Sequence, residues 1–175
     1  MLLRVLWALG LLAAVSSHAA GPPAAASAGA NAAAATAAEK AIMKRAAADW
    51  APTLRLATDT FLVGSGDFGF EVSTRRAGYL TVLQTSTDGT RNVIFPSVVD
   101  RDNRIAAGTL RLPRASWRLQ AMGPAGTGRL LVVLTPRAPN ADAVRRSWAA
   151  GRTPDFGARY GAVTAEYQEV AGQAP

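Results

Sequence analysis

The stretch from residue 67 to residue 96 alternates hydrophobic and polar positions, and it predicts the centre of the fold. The apolar runs within it are 68–72, 79–85 and 93–95. Arg75 and Arg76 separate the first run from the second, and Asp88 and Gly89 separate the second from the third. Alternation with a period of two, interrupted by glycine-containing turns, is typical of antiparallel strands joined as hairpins. We therefore expect two consecutive hairpins, with Arg75 and Arg76 at the tip of the first.

Further runs on either side of this stretch also predict strands. They are Leu54 to Leu56, Thr109 to Leu112, the alternating positions Trp117, Leu119 and Ala121, and the continuous apolar run Leu130 to Leu134. The continuous run favours a central strand that is buried on both faces. Together these elements predict an antiparallel β-domain over residues 54–136.

A helical pattern precedes the predicted β-domain. Thr36 can cap a helix, and Glu39 follows at the spacing of a capping box, so we expect a helix over residues 39–50. Pro52 would end this helix. Such a helix either docks onto a partner or lies on its own domain, and we favour the second interpretation.

A helical tail is expected over residues 139–172. Asn140 is a suitable N-cap for a helix that carries Trp148 on its apolar face and ends at Gly151. A second helical stretch is expected over residues 158–170. The aromatic residues of the tail, which either cover one end of the sheet or form a partner surface, are Trp148, Phe156 and Tyr160. The expected fold class is mostly β: an antiparallel β-sandwich with peripheral helices at the N- and C-terminal ends.

The first residues have the pattern of a secretory signal peptide. Arg4 precedes a short apolar run over residues 5–15, and the small residues up to Ala19 fit the cleavage rule, so we expect a signal peptide over residues 1–19. A membrane anchor would need about 20 apolar residues, and this run is shorter. Residues 20–38 are rich in Ala, Gly and Pro and predict a linker. We therefore expect an exported protein that is periplasmic or secreted.

The formal net charge of +7 comes mainly from arginine, since Lys40 and Lys44 are the only lysines. A basic balance is compatible with nucleic acid, anionic lipid or an acidic polymer as partner. The arginines are spread along the chain instead of forming a basic stripe with interleaved aromatic residues, which argues against a nucleic-acid site. A solvated, charged surface is the simpler interpretation.

The residue types exclude several kinds of chemistry. The chain contains no cysteine, and its only histidine, His18, lies in the predicted signal peptide. Serine–histidine and cysteine–histidine catalysis and histidine- or thiolate-ligated metals are therefore excluded from the mature chain. Asp67 and Glu71 remain as a carboxylate pair of the glycosidase type, but Arg75 and Arg76 are near enough to neutralise either carboxylate.

Two further motifs have both a binding and a structural interpretation. The glycines of residues 64–69 have the spacing of a dinucleotide fingerprint, but an alternating strand pattern follows where the helix should begin. Asp100, Asp102 and Asn103 carry oxygens that suit calcium, but no glutamate closes the loop, and these residue types also form turns. We therefore predict a glycine-rich connection and a turn, and no cofactor or metal.

Several short motifs occur in a defined order between residues 61 and 134. They are Gly66-Asp67, Gly78-Tyr79-Leu80, Asp88-Gly89, Phe95-Pro96, Asn103 with Ile105 and Ala107-Gly108, and Gly123-Pro124 with Gly126. This order resembles a family of secreted bacterial domains, the domain of unknown function 4384. Members occur behind export signals and fused to caspase-like peptidases or protein kinases, and some are encoded near secretion systems. The resemblance implies an accessory β-domain and carries over no catalytic residue; where the family pattern often has an acidic residue, this chain has Gly128 and Arg129.

These observations predict a non-enzymatic accessory domain that binds another envelope or secreted protein and supports a cell-envelope or secretion-system assembly. The residues predicted to contact the partner are Arg75, Arg76, Arg145, Arg146 and Trp148. No catalytic, cofactor-binding or metal-binding residue is expected. Two alternatives stay open, namely a carboxylate-dependent cell-wall hydrolase and a binder of acidic polymers.

Overall fold

The computed structural model describes residues 37–66 and 68–172 of the chain. The predicted signal peptide, most of the predicted linker, Thr36 and Asp67 lie outside the described residues. The strands are β1 (Thr53–Leu56), β2 (Thr60–Leu62), β3 (Phe70–Thr74), β4 (Gly78–Thr85), β5 (Arg91–Phe95), β6 (Arg104–Ile105), β7 (Gly108–Leu112), β8 (Gly126–Thr135) and β9 (Gly161–Val170). The helices are α1, whose described part covers 37–45, a 3-10 helix at Ala48–Trp50, and α2 (Ala141–Ala149). In this part of the chain no helix is both long and apolar enough to span a bilayer.

Two sheets form a sandwich, which confirms the predicted fold class. The small sheet is antiparallel and has the strand order β1–β3–β7. The large sheet has the order β2–β9–β8–β4–β5, and β6 pairs with the start of β4. Its pairs are antiparallel except for β2 with β9, which run parallel. The structure is thus mostly β, with one parallel pair at an edge of the large sheet.

The main core lies between the two sheets. On β3 the buried residues Phe70 and Val72 alternate with half-buried ones, which is why this stretch has a period of two in the sequence. Phe61, Phe68 and Tyr167 form an aromatic group at one end of the core. The ring centroids are 4.3 Å apart for Phe61 and Phe68, and 4.7 Å apart for Phe68 and Tyr167.

The two helices cover the other face of the large sheet and form a third layer. Leu131 and Val133 of β8 point to this face and pack in one cluster with Ile42 of α1 and with Val144 and Trp148 of α2. Neighbouring residues of β8 belong to the main core, so the strand is buried on both faces. This confirms the central strand that the continuous apolar run predicts.

Hydrogen bonds fix α1 and the following residues to the domain. The hydroxyl of Tyr160 donates to the carbonyl of Ile42 at 3.0 Å, and the amide of Ala47 donates to the carbonyl of Tyr160 at 2.7 Å. The expectation that this helix lies on its own domain is therefore confirmed. Ala38 is also helical and buried, so the predicted linker over 20–38 runs too far by at least its last two residues, 37 and 38.

The first half of the predicted helical tail is correct. The side chain of Asn140 accepts a hydrogen bond from the amide of Ala143 at 3.0 Å, as expected of an N-cap. Gly151 follows α2 with a φ of 70°, which is a conformation that glycine adopts without strain. Trp148 lies on the buried face of the helix.

The second half of the predicted tail is wrong, because residues 161–170 form strand β9 and not a helix. Alanine and glutamate favour a helix in isolation, but β9 lies between β2 and β8 and exchanges backbone hydrogen bonds with both. Tertiary pairing therefore overrides local helix propensity here.

One of the two predicted hairpins is present. β4 and β5 pair directly, and Gly89 has a φ of 83° in the turn between them. β3 and β4 do not pair, because β3 belongs to the small sheet and β4 to the large one. The prediction of a first hairpin with Arg75 and Arg76 at its tip is therefore wrong. These arginines lie in a short crossover between the two sheets.

The strand predicted through residues 117–121 is also absent, since this segment pairs with no strand. Ala121 is buried in the main core, and Trp117 and Leu119 pack against it while partly buried. The alternation of inward and outward side chains is thus real, but the segment crosses the edge of the sandwich as an irregular chain.

Candidate functional site

Many of the arginines gather at one end of the large sheet. At this end β4 begins, β8 finishes and β9 begins, because β8 pairs antiparallel with both neighbours. We call it the basic end. The arginines beside these strand ends and in the adjoining loops are Arg75, Arg76, Arg101, Arg104, Arg137 and Arg159, and Arg145 and Arg146 follow on α2. Residues that look scattered in the sequence are therefore brought together by the pairing of the strands.

A loop at the basic end presents two valines to solvent. Val98 is 78% exposed and Val99 is 66% exposed. A turn supports them, since the amide of Ser97 donates to the carbonyl of Asp100 at 2.9 Å and the amide of Asp100 donates to Ser97 Oγ at 3.0 Å. Folding leaves this apolar surface uncovered. We call residues 97–100 the valine loop.

Polar contacts with neighbouring segments hold the valine loop in place. The carboxylate of Asp100 accepts hydrogen bonds from Arg114 Nη1 at 2.7 Å and from Trp117 Nε1 at 3.1 Å. Arg145 Nη2 donates to the carbonyl of Pro96 at 2.6 Å and so ties α2 to the start of the loop. Bonds to a charged group are stronger than neutral ones. These contacts fix the valine loop to α2 and to the segment around Trp117.

A groove of about 350 Å³ separates the valine loop from the start of α2. It is lined by Pro96, Ser97, Val98, Arg101, Ala141, Asp142 and Arg145. The one carboxylate in this lining, on Asp142, lies 3.5 Å from Arg145 Nη1, whereas Arg101 contacts only the carbonyl of Val98, at 3.3 Å, among the described residues. The groove therefore has a positive charge beside an apolar rim.

The structure gives the arginines predicted for partner contact different surroundings. Arg75 and Arg146 are exposed. Arg76 lies over the ring of Trp50, with the guanidinium carbon 5.4 Å from the ring centroid, and its Nη2 is 3.6 Å from the carboxylate of Asp49. Arg75 and Arg146 are thus accessible to a partner, whereas Arg76, although its side chain is also 52% exposed, fastens the 3-10 helix to the sheet crossover.

Trp148 does not contact solvent, so its predicted role in partner binding is wrong. The side chain is fully buried, and its Nε1 donates to the carbonyl of Gln84 at 3.0 Å. The other tail aromatics, Phe156 and Tyr160, are buried in the same cluster. All of them cover the large sheet, which is the commoner role for aromatic residues on an amphipathic tail.

The residues considered for calcium stabilise a turn. Asp102 Oδ1 accepts the amide of Arg104 at 3.0 Å, and Asn103 Nδ2 donates to the carbonyl of Leu80 at 3.1 Å. Asp100 is engaged by Arg114 as described above. Across residues 37–66 and 68–172, no three His, Cys, Asp or Glu side chains are grouped as metal ligands.

The residues considered for catalysis and for dinucleotide binding have structural surroundings. Glu71 Oε1 lies 2.7 Å from Arg111 Nε on the neighbouring strand, so its carboxylate is already paired. Its suggested partner, Asp67, is outside the described residues. The glycines of residues 64–69 lead into strand β3, as predicted, and no helix N-terminus follows them.

Sequence reasoning missed the valine loop. The signal was present as two adjacent β-branched residues between Ser97 and Asp100, within a segment read only for its oxygen ligands. Alternation cannot identify such residues, because they belong to no strand. Their exposure becomes evident only when the loop is seen to turn away from the core.

A comparison with family models places residues 61–138 in a known group. This segment matches the model described as domain of unknown function DUF4384. This segment is therefore similar to the DUF4384 family. It runs from β2 to the residues after β8 and includes the valine loop, whereas β1, α2 and β9 lie outside the match. No curated protein and no solved structure matches the chain.

Proposed function

We propose that this DUF4384 protein is a non-enzymatic, exported accessory domain that binds another envelope or secreted protein through its basic end. In this proposal it supports a cell-envelope or secretion-system assembly. The signal-peptide pattern and the family resemblance support export and an accessory role.

The valine loop is the observation that carries this proposal. Val98 and Val99 are exposed on a loop that Asp100 and Arg145 hold in one conformation. Fully burying a valine contributes about 1.5–3 kcal/mol, so a partner that covers both gains a useful fraction of a binding free energy. Arg101 and the nearby arginines would then orient a partner carboxylate and speed its approach.

Binding is favoured over catalysis by the residues available. The chain has no cysteine, and its one histidine precedes the described residues. The carboxylate that sequence analysis considered for hydrolysis, on Glu71, is paired with Arg111.

A pull-down from native periplasm tests the proposal when matched variants are compared. We expect the double variant Val98→Ser/Val99→Ser and the double variant Arg101→Ala/Arg146→Ala each to lose the partner that the original chain captures. Leu62→Ser is the control, because Leu62 is 54% exposed at the opposite end of the large sheet. It should retain the partner.

The pattern of losses separates the proposal from its alternative. A partner that is lost on removing the arginines but retained without the valines is held by charge alone, as an acidic polymer would be. Retention of the same proteins by every variant, at low and at moderate salt, contradicts binding through the basic end.

A further inference from the structure

A second cleft lies at the opposite end of the large sheet, between the β4–β5 hairpin, the segment around Gly123 and the last residues of β9. Its volume is about 210 Å³. The lining includes the polar residues Gln84, Asp88, Asn92, Gln120 and Glu169 and the exposed thioether of Met122. No arginine or lysine is part of this lining, although the whole chain has a net charge of +7. We call it the acidic cleft.

Glu169 is the unusual group in the acidic cleft. Its side chain is buried, with 3% of the residue exposed, and its Oε2 accepts the amide of Gly123 at 2.6 Å. Among the described residues no Lys or Arg nitrogen lies within ion-pair distance of this carboxylate, whereas the other buried acid, Glu39, is paired with Arg129. One backbone amide compensates only part of the cost of burying a charge. A cation beside this carboxylate would offset the rest of that cost.

A second carboxylate is held at the rim. Asp88 Oδ1 accepts the amide of Thr90 and Oδ2 accepts its hydroxyl, each at 2.8 Å, so the side chain is fixed within the hairpin turn. The pKa of Tyr167 is raised to about 12, mainly by burial and further by the charges of Glu169 and Asp88, while a hydrogen bond from Gln84 opposes the rise. The phenol therefore stays neutral and adds no charge to the cleft.

We propose that the acidic cleft binds one organic cation, the ammonium of an alkylamine or the guanidinium of an arginine side chain. Glu169 would supply the countercharge, and the side-chain carbonyls of Gln84 and Asn92 would accept further N–H bonds. The thioether of Met122 would pack on the alkyl stem. The cleft is smaller than the roughly 300–1,000 Å³ of drug-sized sites, so a head group and a short stem fill it.

A metal ion fits this site less well than an organic cation. Both oxygens of Asp88 already accept hydrogen bonds from Thr90, so Glu169 is the carboxylate that would bind the ligand directly, and the charge of Asp88 at the rim would add to the attraction. Calcium takes six to eight oxygens, and strong sites supply several carboxylates. An ammonium or guanidinium instead needs acceptors at hydrogen-bond distance and one negative charge.

A titration monitored by backbone amide resonances tests this proposal on the purified chain. The probes are the acetylated and amidated forms of lysine and arginine, the free diamine putrescine, and the neutral acetylated and amidated norleucine. We expect the amide chemical shifts of Gly123, Thr90 and Glu169 to change in a saturable way when the cations are added, and to stay unchanged when the norleucine derivative is added. Binding by lysine and arginine derivatives alone indicates a protein side chain as the natural ligand, and equal binding by putrescine indicates a free amine.

Variants at two glutamates of β9 decide whether the buried carboxylate is responsible. Glu169→Gln keeps an oxygen for the Gly123 amide but removes the charge, and it should weaken cation binding about tenfold or more. Glu166→Gln is the matched control, since Glu166 is exposed and pairs with Arg129 on the other face of the sheet. Should Glu169→Gln fail to fold, Asp88→Asn replaces it with the same expected direction.

Three results would overturn the proposal. They are the absence of cation-dependent shifts at the cleft, equal shifts with norleucine, and unchanged cation affinity in a folded variant at Glu169 or Asp88. None of them bears on the valine loop, which lies at the other end of the sheet. The two proposals can therefore fail separately.

Discussion

Neighbouring residues of the same type have different roles in this protein, and Arg75 and Arg76 show it most clearly. The sequence gives no reason to separate them, since both follow β3 and both looked like the tip of a hairpin. In the structure Arg75 is exposed, whereas Arg76 donates from Nε to the carbonyl of Asp49 at 3.2 Å and lies over Trp50.

Replacing each arginine in turn tests this division. Arg76→Ala should lower the free energy of unfolding by about 0.5–1 kcal/mol, the usual contribution of an exposed cation–π contact. Arg75→Ala should change it by less than about 0.5 kcal/mol, as surface substitutions usually do. The midpoint denaturant concentration of each unfolding curve measures both changes, provided that the slope of the free energy of unfolding against denaturant concentration is the same for all three proteins. Equal effects of the two variants would show that the contact with Trp50 contributes nothing.

The β4–β5 turn is a residue-level feature that the sequence does predict. Asp88 and Gly89 stand between two apolar runs, and in the structure Gly89 has a φ of 83°. A β-branched residue is strained in this region of backbone conformation. Gly89→Val should therefore lower the free energy of unfolding by about 1–3 kcal/mol. A thermal unfolding curve identical to that of the original chain would contradict the turn.

At the scale of elements, the helix α1 depends on a buried acid. Glu39 accepts a hydrogen bond from Thr85 Oγ1 at 3.3 Å and pairs with Arg129 at 3.4 Å. Burial raises the pKa of this carboxyl above its usual value of 4.5, Arg129 and Thr85 oppose the shift, and Glu166 adds to it. Desolvation is the largest of these effects.

This pKa predicts a pH dependence of stability. Because the pKa is raised in the folded state, the folded chain binds more protons than the unfolded one between the two pKa values. The contribution of Glu39 is complete below pH 4.5 and is lost as pH rises through the raised value. In Glu39→Gln the free energy of unfolding should therefore fall less over this interval. Parallel pH profiles for the two proteins would exclude Glu39 as the cause.

Local patterns predicted those elements whose partners are near in sequence. The β4–β5 hairpin, the buried strand β8 and the Asn140 cap all follow from residues within a single turn or strand. The crossover after β3 could not be distinguished from a hairpin, because a three-residue link fits both. The helix expected over residues 158–170 neglects the alternation of Val163 and Tyr167 with Thr164, Glu166 and Gln168, which is that of a strand.

At the scale of the whole molecule, the family match and the structural unit have different limits. Residues 61–138 match the family, yet β9 lies between β2 and β8 and contributes a full strand to the large sheet. α2, which also follows the matched segment, covers this sheet with Val144 and Trp148. The sequence could not show this arrangement, since pairing between β2 and β9 joins residues more than a hundred positions apart.

A chain that ends after residue 138 should therefore fail to fold. It exposes the edge of β8 and the apolar face of the large sheet, and it leaves β2 without a partner. We expect broad, poorly dispersed amide resonances and no cooperative thermal transition, whereas the full-length chain should show well-dispersed resonances and a cooperative transition. A cooperative transition in the shortened chain would mean that the matched segment is self-sufficient.

Photocrosslinking in living cells tests most directly whether the basic end binds a partner. A photoreactive amino acid at Val99 should give one discrete crosslinked protein, and this product should weaken in the Arg101→Ala/Arg146→Ala background. The same amino acid at Leu62, exposed at the other end of the large sheet, should give no such product. Crosslinks of equal yield and identity from both positions, or none from Val99, would contradict a partner-binding surface at the valine loop.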